Sequence, residues 1–148
     1  MSKDIIYICY DEALDIYRKM IDASDGGFEG VLNEGGIHAT LDFVQNDLYY
    51  PTFANKLAYM MYSFCSGHFF KDGNKRIALT LGTYFLHKNK YYWHACICMR
   101  TFESIIYHVA ASNIDHDLLR SIVNSFMTSQ DYDEELKIDI ANAMSQEG

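Results

Sequence analysis

Hydrophobic positions along much of this chain recur at intervals of three and four residues, which is the period of an amphipathic helix. The clearest run begins at Thr52 or Phe53 and ends at Ser66. Its apolar stripe consists of Ala54, Leu57, Ala58, Met61 and Cys65, widened by Met60 and Phe64. A second run, from about Asn74 to Lys88, carries Ile77, Ala78, Leu81, Tyr84 and Phe85. Because both runs are apolar around much of their circumference, the pattern predicts two central helices.

The same spacing, over narrower apolar faces, predicts further helices. They cover residues 11–22, about 37–45, a stretch that begins with Thr101 as its cap, and about 115–127. Residues 91–99 are rich in aromatic and β-type side chains, which predicts a strand or an extended run. Residues 5–9 are predicted to form a short strand or an extended segment, and the aperiodic residues 28–36 and 46–51 to form loops.

The final segment, residues 130–148, is acidic and amphipathic, and it either docks on the body of the protein or serves as a partner-binding appendage. Pro occurs once and Gly nine times in the chain, and this scarcity of helix breakers favours helices. No internal repeat or linker interrupts the sequence, and 148 residues are enough to bury one core. We therefore expect a single all-α domain that spans residues 1–148.

The charge balance of the chain limits the classes of molecule that we expect it to bind. The chain carries 20 acidic and 12 basic side chains, which give a formal net charge of −8 and a pI of about 5.0. General binders of nucleic acid or of anionic membranes usually show the opposite balance. No apolar run approaches the length of a membrane span, and no signal-peptide pattern is present. We expect no nucleic-acid partner, no membrane partner and a cytoplasmic location.

The four cysteines are expected to be reduced thiols in that compartment. They are Cys9, Cys65, Cys96 and Cys98. The grouping of His94 with Cys96 and Cys98 raises the alternative of a zinc site. Common structural zinc sites pair cysteines two to four residues apart and need a second such pair. Alternation along a strand accounts for the three positions better, so we expect no metal there.

Between the two central helices lies a ten-residue loop, Gly67–Arg76, that is dense in reactive groups: Gly-His-Phe-Phe-Lys-Asp-Gly-Asn-Lys-Arg. Gly67 is a natural stop for the first helix. The start of the second helix presents unpaired N–H groups and a partial positive charge, which attract phosphate. Gly73 lets the backbone approach a ligand closely, and Asn74 can cap the helix or orient a phosphate oxygen.

Lys75 and Arg76 fall in the first turn of the second helix, where cations oppose the helix dipole. With Lys71 they form a cationic cluster in an otherwise acidic protein. Two cations in this position make sense when an anion binds there. The alternative is that both side chains simply point to solvent.

Asp72 and His68 add two further functions to the loop. Asp72 is a hard oxygen ligand of the kind that holds Mg²⁺ together with substrate phosphates. A loop histidine such as His68 can accept a proton near neutral pH, although a structural role is its commoner use. Phe70 is expected to anchor the loop in the core. A base, a metal ligand, an anion site and cations are the parts needed for attack of a hydroxyl on a nucleotide phosphate.

The loop is not a Walker A motif, because its glycines are six residues apart and Asn-Lys-Arg follows the second one. Residues 68–76 instead resemble the signature of the Fic/Doc (Fido) superfamily, His-x-Phe-x-Asp/Asn-Gly/Ala-Asn-Gly/Lys-Arg, and match every fixed position. Similarity in residues 33–41 and 77–89 extends the resemblance to about residues 10–127. It implies an all-α Fido domain with the signature loop between two central helices and room for a small β-hairpin flap.

Two positions separate this chain from the Fic proteins that transfer AMP. Lys75 stands where their signature has glycine, and Leu79 where they have a second arginine. Both match the Doc (death on curing) branch, which implies a bacterial toxin of a toxin–antitoxin pair. Such a toxin transfers the γ-phosphate of ATP to a threonine of elongation factor Tu. The resemblance implies these roles: His68 as base, Asp72 as Mg²⁺ ligand, and Gly73, Asn74, Lys75 and Arg76 as the phosphate site.

Two alternatives stay open: a transferase that attaches AMP to a protein hydroxyl, and a Fido-fold interaction protein whose catalysis has lapsed. The intact His68 and Asp72 argue against the second. Many Fic proteins also carry an inhibitory helix with Ser/Thr-x-x-x-Glu-Gly/Asn. The two Glu-Gly pairs of this chain, at residues 29–30 and 147–148, lack the Ser or Thr four residues earlier. Control by a separate antitoxin chain is therefore expected.

Overall fold

The computed structural model describes residues 4–24, 29–128 and 131–145 of the chain. Within these ranges seven helices form and no strand does; an isolated antiparallel bridge joins Val31 to Phe70. The predicted all-α class is confirmed. The helices are α1 (Tyr10–Asp22), α2 (Glu34–Phe43), α3 (Phe53–Ser66), α4 (Asn74–Lys88), α5 (Tyr92–Ala110), α6 (His116–Thr128) and α7 (Glu134–Met144).

Helices α3 and α4 form the centre of the molecule, as their broad apolar faces predict. Helix α3 packs against α2, α4, α5 and α6, while α4 packs against α1, α3 and α5. Side chains from every turn of α3 are buried, and α4 buries its Ile77, Leu81 and Phe85 stripe. Thr52 caps α3 by accepting a hydrogen bond from the Asn55 N–H. The loop between these two helices is therefore held at both ends by the best-packed part of the fold.

Helix α1 is tied to α4 by a charged network. Glu12 accepts hydrogen bonds from the Lys88 ammonium and, at 2.8 Å, from the Tyr84 hydroxyl. The Lys88 hydrogen bond is the main cause that lowers the pKa of Glu12 from its ordinary 4.5 to about 2, with Tyr84 and the Cys9 backbone adding to it against the cost of burial. Between about pH 2 and pH 4.5 the carboxylate therefore stays ionised in the folded protein, whereas it would be protonated in the unfolded chain.

We expect Glu12→Gln to reduce the free energy of unfolding at pH 7 by about 1.5–3 kcal/mol, the usual contribution of hydrogen bonds to a charged group. Because the folded pKa lies below the unfolded one, this stabilisation is complete above pH 4.5 and is lost as the pH falls toward 2. Urea unfolding at pH 7 and pH 3 should show the difference from wild type shrinking at the lower pH. Asp15→Asn removes an exposed α1 carboxylate paired with Lys19 and serves as the matched control. An equal loss in both variants would contradict the assignment.

The predicted strand at residues 91–99 is wrong, and so is the helix start at Thr101. A single helix, α5, runs through both segments from Tyr92 to Ala110. Its buried positions, Ala95, Cys98, Phe102, Ile105, Ile106 and Val109, follow three- and four-residue steps. The aromatic and cysteine residues between them favour strands only weakly, and burial of this stripe against α4 overrides that preference.

Helix α2 begins three residues before its predicted start. Asn33 caps it by accepting a hydrogen bond from the Gly36 N–H at 2.8 Å. Its first turn contains Gly35 and Gly36, and glycine has low helix propensity, which concealed the start of the helix in the sequence.

The acidic C-terminal segment docks on the body of the protein over its described residues. Helix α7 is capped by Asp133 and contacts α5 and α6, with Leu136 and Ala143 buried. The remainder of the predicted segment, residue 130 and residues 146–148, lies outside the described part of the chain. Among the described residues, no helix has both the length and the hydrophobicity to cross a bilayer.

Candidate functional site

The loop between α3 and α4 is anchored in the core by two consecutive aromatic residues. Phe70 is 1 % exposed and stacks on the ring of Tyr17 from α1, with ring centroids 3.9 Å apart. Phe69 packs edge-on against Phe64 of α3. The expected role of Phe70 as an anchor is confirmed. Burying both rings leaves the residues on either side, His68 and Lys71, exposed at the surface.

The ring of Phe69 explains two glycines in different parts of the sequence. A Cβ on Gly36 would lie 2.6 Å from Phe69 Cε1, and a Cβ on Gly67 would collide with the same atom. Both positions therefore need glycine for space, and neither uses a positive φ. Through Phe69 the loop is packed against the first turn of α2 and the last turn of α3 together.

A bracing segment, residues 29–33, pairs with the loop from its other side. Lys71 N–H donates to the Gly30 carbonyl, and Leu32 N–H donates to the Phe69 carbonyl, both at 2.8 Å. These two bonds flank the isolated bridge between Val31 and Phe70. The pairing fixes the backbone of residues 69–71 without a regular strand.

His68 is held in an unusual backbone conformation at the mouth of the site. Its φ is +52°, in the left-handed region where residues other than glycine are uncommon. Such conformations cost free energy and persist only where the surroundings impose them. Here the constraint is the sharp change of direction from the end of α3 into the buried Phe69 and Phe70.

Asp72 and Gly73 form the turn that leads into α4. One Asp72 carboxylate oxygen accepts a hydrogen bond from the Gly73 N–H at 2.8 Å, and the other lies 3.6 Å from the Arg76 guanidinium. Gly73 has a φ of +81°, and a Cβ there would lie 3.0 Å from Met20 Cε of α1. Both the backbone conformation and the close approach of α1 require glycine at this position.

The start of α4 is suited to an anion. Its N-cap, Gly73, has no side chain to accept from the first-turn amides, and the first intrahelical bond is from the Ile77 N–H to the Gly73 carbonyl. The N–H groups of residues 74–76 therefore have no acceptor within the helix. No acidic residue lies in this turn, which contains Lys75 and Arg76. Amides, helix dipole and two cations all favour negative charge at the same place.

The Asn74 side chain is engaged within the loop. Its carbonyl oxygen accepts from the Phe70 N–H at 3.2 Å, and its amide nitrogen donates to the Phe70 carbonyl at 3.0 Å. The side chain thus closes the loop like a backbone pair. What Asn74 presents toward α4's N-terminal opening is its backbone N–H.

A cavity of about 490 Å³ opens over the loop and the start of α4. All six residues predicted for the site, His68 and residues 72–76 without gap, line this cavity. The lining also includes Lys71, Cys65 and Ser66 from the last turn of α3, Ala110 at the end of α5, and Ser112 in the turn that follows α5. Asp72 is the one carboxylate among these lining residues.

The wall residues from α3 and from the end of α5 onward carry no signal in the sequence that marks them as part of the site. Ala110 and Ser112 are more than thirty residues from the loop and carry no recognisable motif. Ser112 has a φ of +64°, which the sequence does not signal. Cys65 is buried, and this burial raises its thiol pKa to about 11. The thiol is therefore protonated near neutral pH and forms an apolar part of the wall.

The donor set fits a magnesium ion held jointly with substrate. Within the described part of the chain, no three His, Cys, Asp or Glu residues cluster as a metal cage. Mg²⁺ is commonly bound through one or two carboxylates plus substrate phosphates, and Asp72 beside the anion-binding turn provides that arrangement. Its carboxylate is about two-fifths exposed and faces the cavity.

The fold therefore brings the loop, its anion-binding turn and the Asp72 carboxylate together at one cavity. A family model described as the Fic/DOC family matches residues 7–86. The chain belongs to the Fic/DOC family, whose members generally act on protein targets. The match covers α1 to α3, the whole loop and α4 as far as Leu86; Ala110 and Ser112 of the cavity wall lie beyond it. No curated protein and no solved structure matched the chain.

Proposed function

We propose that this protein is a Doc-like toxin of a bacterial toxin–antitoxin system, acting in the cytoplasm as an ATP-dependent protein kinase. We expect its substrate to be the translation factor elongation factor Tu, which it would phosphorylate on a hydroxyl side chain. The presence of Lys75 in the first turn of α4, lining the cavity, carries the proposal. AMP-transferring relatives have glycine at this position, which leaves more room for the nucleotide.

A lysine at this point changes which phosphate can occupy the site. Its side chain takes up space and adds charge next to the unpaired amides of α4, so it disfavours the pose that places the α-phosphate near His68. An inverted pose would present the terminal phosphate there instead. Leu79 stands where AMP-transferring relatives have a second arginine. It is partly buried and packs against the core, so this position supplies no cation to the phosphates.

In the proposed reaction, His68 accepts the proton of the target hydroxyl as the hydroxyl oxygen attacks the γ-phosphorus of ATP. The new oxygen–phosphorus bond forms on the target as the bond to the β-phosphate oxygen breaks, and ADP leaves. Lys75, Arg76 and the backbone N–H groups of residues 74–76 hold the phosphates. Asp72 would hold Mg²⁺, which supplies charge neutralisation at the transferring phosphate.

In this proposal the side chain of Asn74 does not bind phosphate. Since both ends of the amide are bonded to Phe70, we assign it the role of shaping the loop and of offering its N–H to phosphate. Gly73 contributes in the same way, through its backbone conformation.

Incubation with elongation factor Tu and ATP labelled at either the α- or the γ-phosphate tests the proposal. We expect label to reach the target from γ-labelled ATP and not from α-labelled ATP. Transfer from the α position alone would establish an AMP transferase instead. No transfer from either label to any protein of a bacterial lysate would favour a domain whose catalysis has lapsed.

Control by a separate antitoxin is the regulatory part of the proposal. It is supported by the lack of a Ser/Thr-x-x-x-Glu-Gly/Asn motif at both Glu-Gly pairs in the sequence. A small antitoxin-like open reading frame next to this gene would support it, and co-expression of that frame should relieve growth arrest.

A further inference from the structure

The hydroxyl group of Tyr17 is the feature of the site region that the proposed mechanism leaves unused. Tyr17 lies in the middle of α1 and is fully buried, at 0 % exposure. Its hydroxyl donates a hydrogen bond of 2.9 Å to the carbonyl oxygen of Asp72. The backbone of Gly30, in the bracing segment, also hydrogen-bonds to this hydroxyl. A buried hydroxyl is costly unless it is bonded, and this one is bonded to both backbone segments that surround the site.

The position of these bonds connects α1 to the carboxylate of Asp72. The Asp72 carbonyl is held by Tyr17, and the next amide, the Gly73 N–H, holds the Asp72 carboxylate at 2.8 Å. One turn further along α1, Met20 and Ile21 lie against Gly73. The same face of α1 therefore supports the turn through one polar and two apolar contacts.

We propose that Tyr17 is a positioning residue whose hydroxyl sets the Asp72–Gly73 turn and, through it, the direction of the Asp72 carboxylate. This inference rests on the proposed function in that Asp72 is taken as the Mg²⁺ ligand. The tyrosine ring alone could fill the core and stack on Phe70. The hydroxyl is needed to fix the peptide between Asp72 and Gly73 in the orientation that points its N–H at the carboxylate.

Tyr17→Phe tests the hydroxyl while it keeps the ring and its stacking on Phe70. Tyr84→Phe is a matched control, because the Tyr84 hydroxyl ties α4 to Glu12 of α1, whereas the Tyr17 hydroxyl ties α1 to the loop. Each variant loses one tyrosine hydroxyl that connects α1 to a neighbouring segment. If hydrogen exchange of the loop amides differs between the two variants, the cause is the position of the lost hydroxyl and not a general loss of stability.

Hydrogen–deuterium exchange of the nucleotide-free proteins gives a readout that does not depend on activity. We expect the hydrogen-bonded amides of Phe70, Lys71, Gly73 and Ile77 to exchange about tenfold faster in Tyr17→Phe, as the loss of one hydrogen bond would produce. Exchange of the same amides should be unchanged in Tyr84→Phe. Equal exchange in the wild-type protein and Tyr17→Phe, or an equal increase in both variants, would overturn the inference.

Calorimetric titration separates the metal from the rest of the site. The affinity for ADP with Mg²⁺ should fall about tenfold in Tyr17→Phe, the lower end of the usual effect of residues that orient metal ligands. The affinity for ADP in EDTA should stay at the wild-type value, and Tyr84→Phe should match wild type in both titrations. Unchanged affinity with Mg²⁺ would overturn the inference and leave the proposed function standing. If the wild-type protein bound ADP but transferred no label, the proposed function would be wrong. The inference on Tyr17 would then be decided by hydrogen–deuterium exchange and calorimetry alone.

Discussion

Replacement of His68 by alanine is expected to lower the rate of group transfer by about 10²- to 10⁴-fold, the usual contribution of a positioned general base. Alanine is poorly suited to the φ of +52° at this position, so a folding defect must be separated from loss of the base. His68→Asn does this, because asparagine tolerates the left-handed conformation and cannot act as the base. We expect both variants to lose activity to a similar extent, with His68→Asn keeping the wild-type melting temperature.

Rate measurements with labelled ATP, together with growth on induced expression in bacteria, provide the test. His87→Ala serves as the control, since His87 is an exposed histidine at the far end of α4. It should retain both activity and toxicity. If His68→Asn arrested growth as strongly as the wild-type protein, the toxicity of this protein would not depend on transfer.

Replacement of Lys75 by glycine is the second change from which we expect a large effect. Transfer from γ-labelled ATP should fall by about 10²-fold, as removal of one group that stabilises the transferring phosphate typically produces. Transfer from α-labelled ATP should become detectable, because glycine reopens the space that the lysine occupies. The ratio of the two labels on the target protein is the measurement.

Lys90→Gly is a matched control for that experiment. Lys90 follows the C-cap of α4 with a φ of +70°, so glycine relieves strain there and should leave activity unchanged. If Lys75→Gly reduced both labels in parallel, Lys75 would contribute affinity without setting the orientation of the nucleotide. The proposal that Lys75 selects phosphate transfer over AMP transfer would then be wrong.

The sequence predicted the centre of the fold well for a physical reason. Helices α3 and α4 are buried on most sides, so their apolar spacing is strong, and glycines mark the end of one and the start of the other. The predicted bounds of both agree with the structure. The six predicted site residues lie within nine positions of the chain, so one loop suffices to bring them to one cavity.

What the sequence did not predict depends on contacts between distant segments. Tyr17 lies on the buried face of α1, and nothing in its local sequence indicates that its hydroxyl bonds to a residue 55 positions later. The contribution of α5 to the cavity wall was missed for the same reason. Residues 91–99 were predicted as a strand because aromatic content was given more weight than the helical spacing of Ala95, Cys98 and Phe102.

The cationic turn at the start of α4 has a further consequence in a chain whose net charge is −8. At physiological ionic strength, charges more than about 8 Å apart are largely screened from each other. A small anion within the cavity therefore responds mainly to Lys71, Lys75, Arg76 and the helix terminus. A long polyanion such as RNA would also experience the net negative charge of the rest of the chain. If the cavity takes the nucleotide of the proposed function, this charge balance favours a free nucleotide over a long nucleic acid.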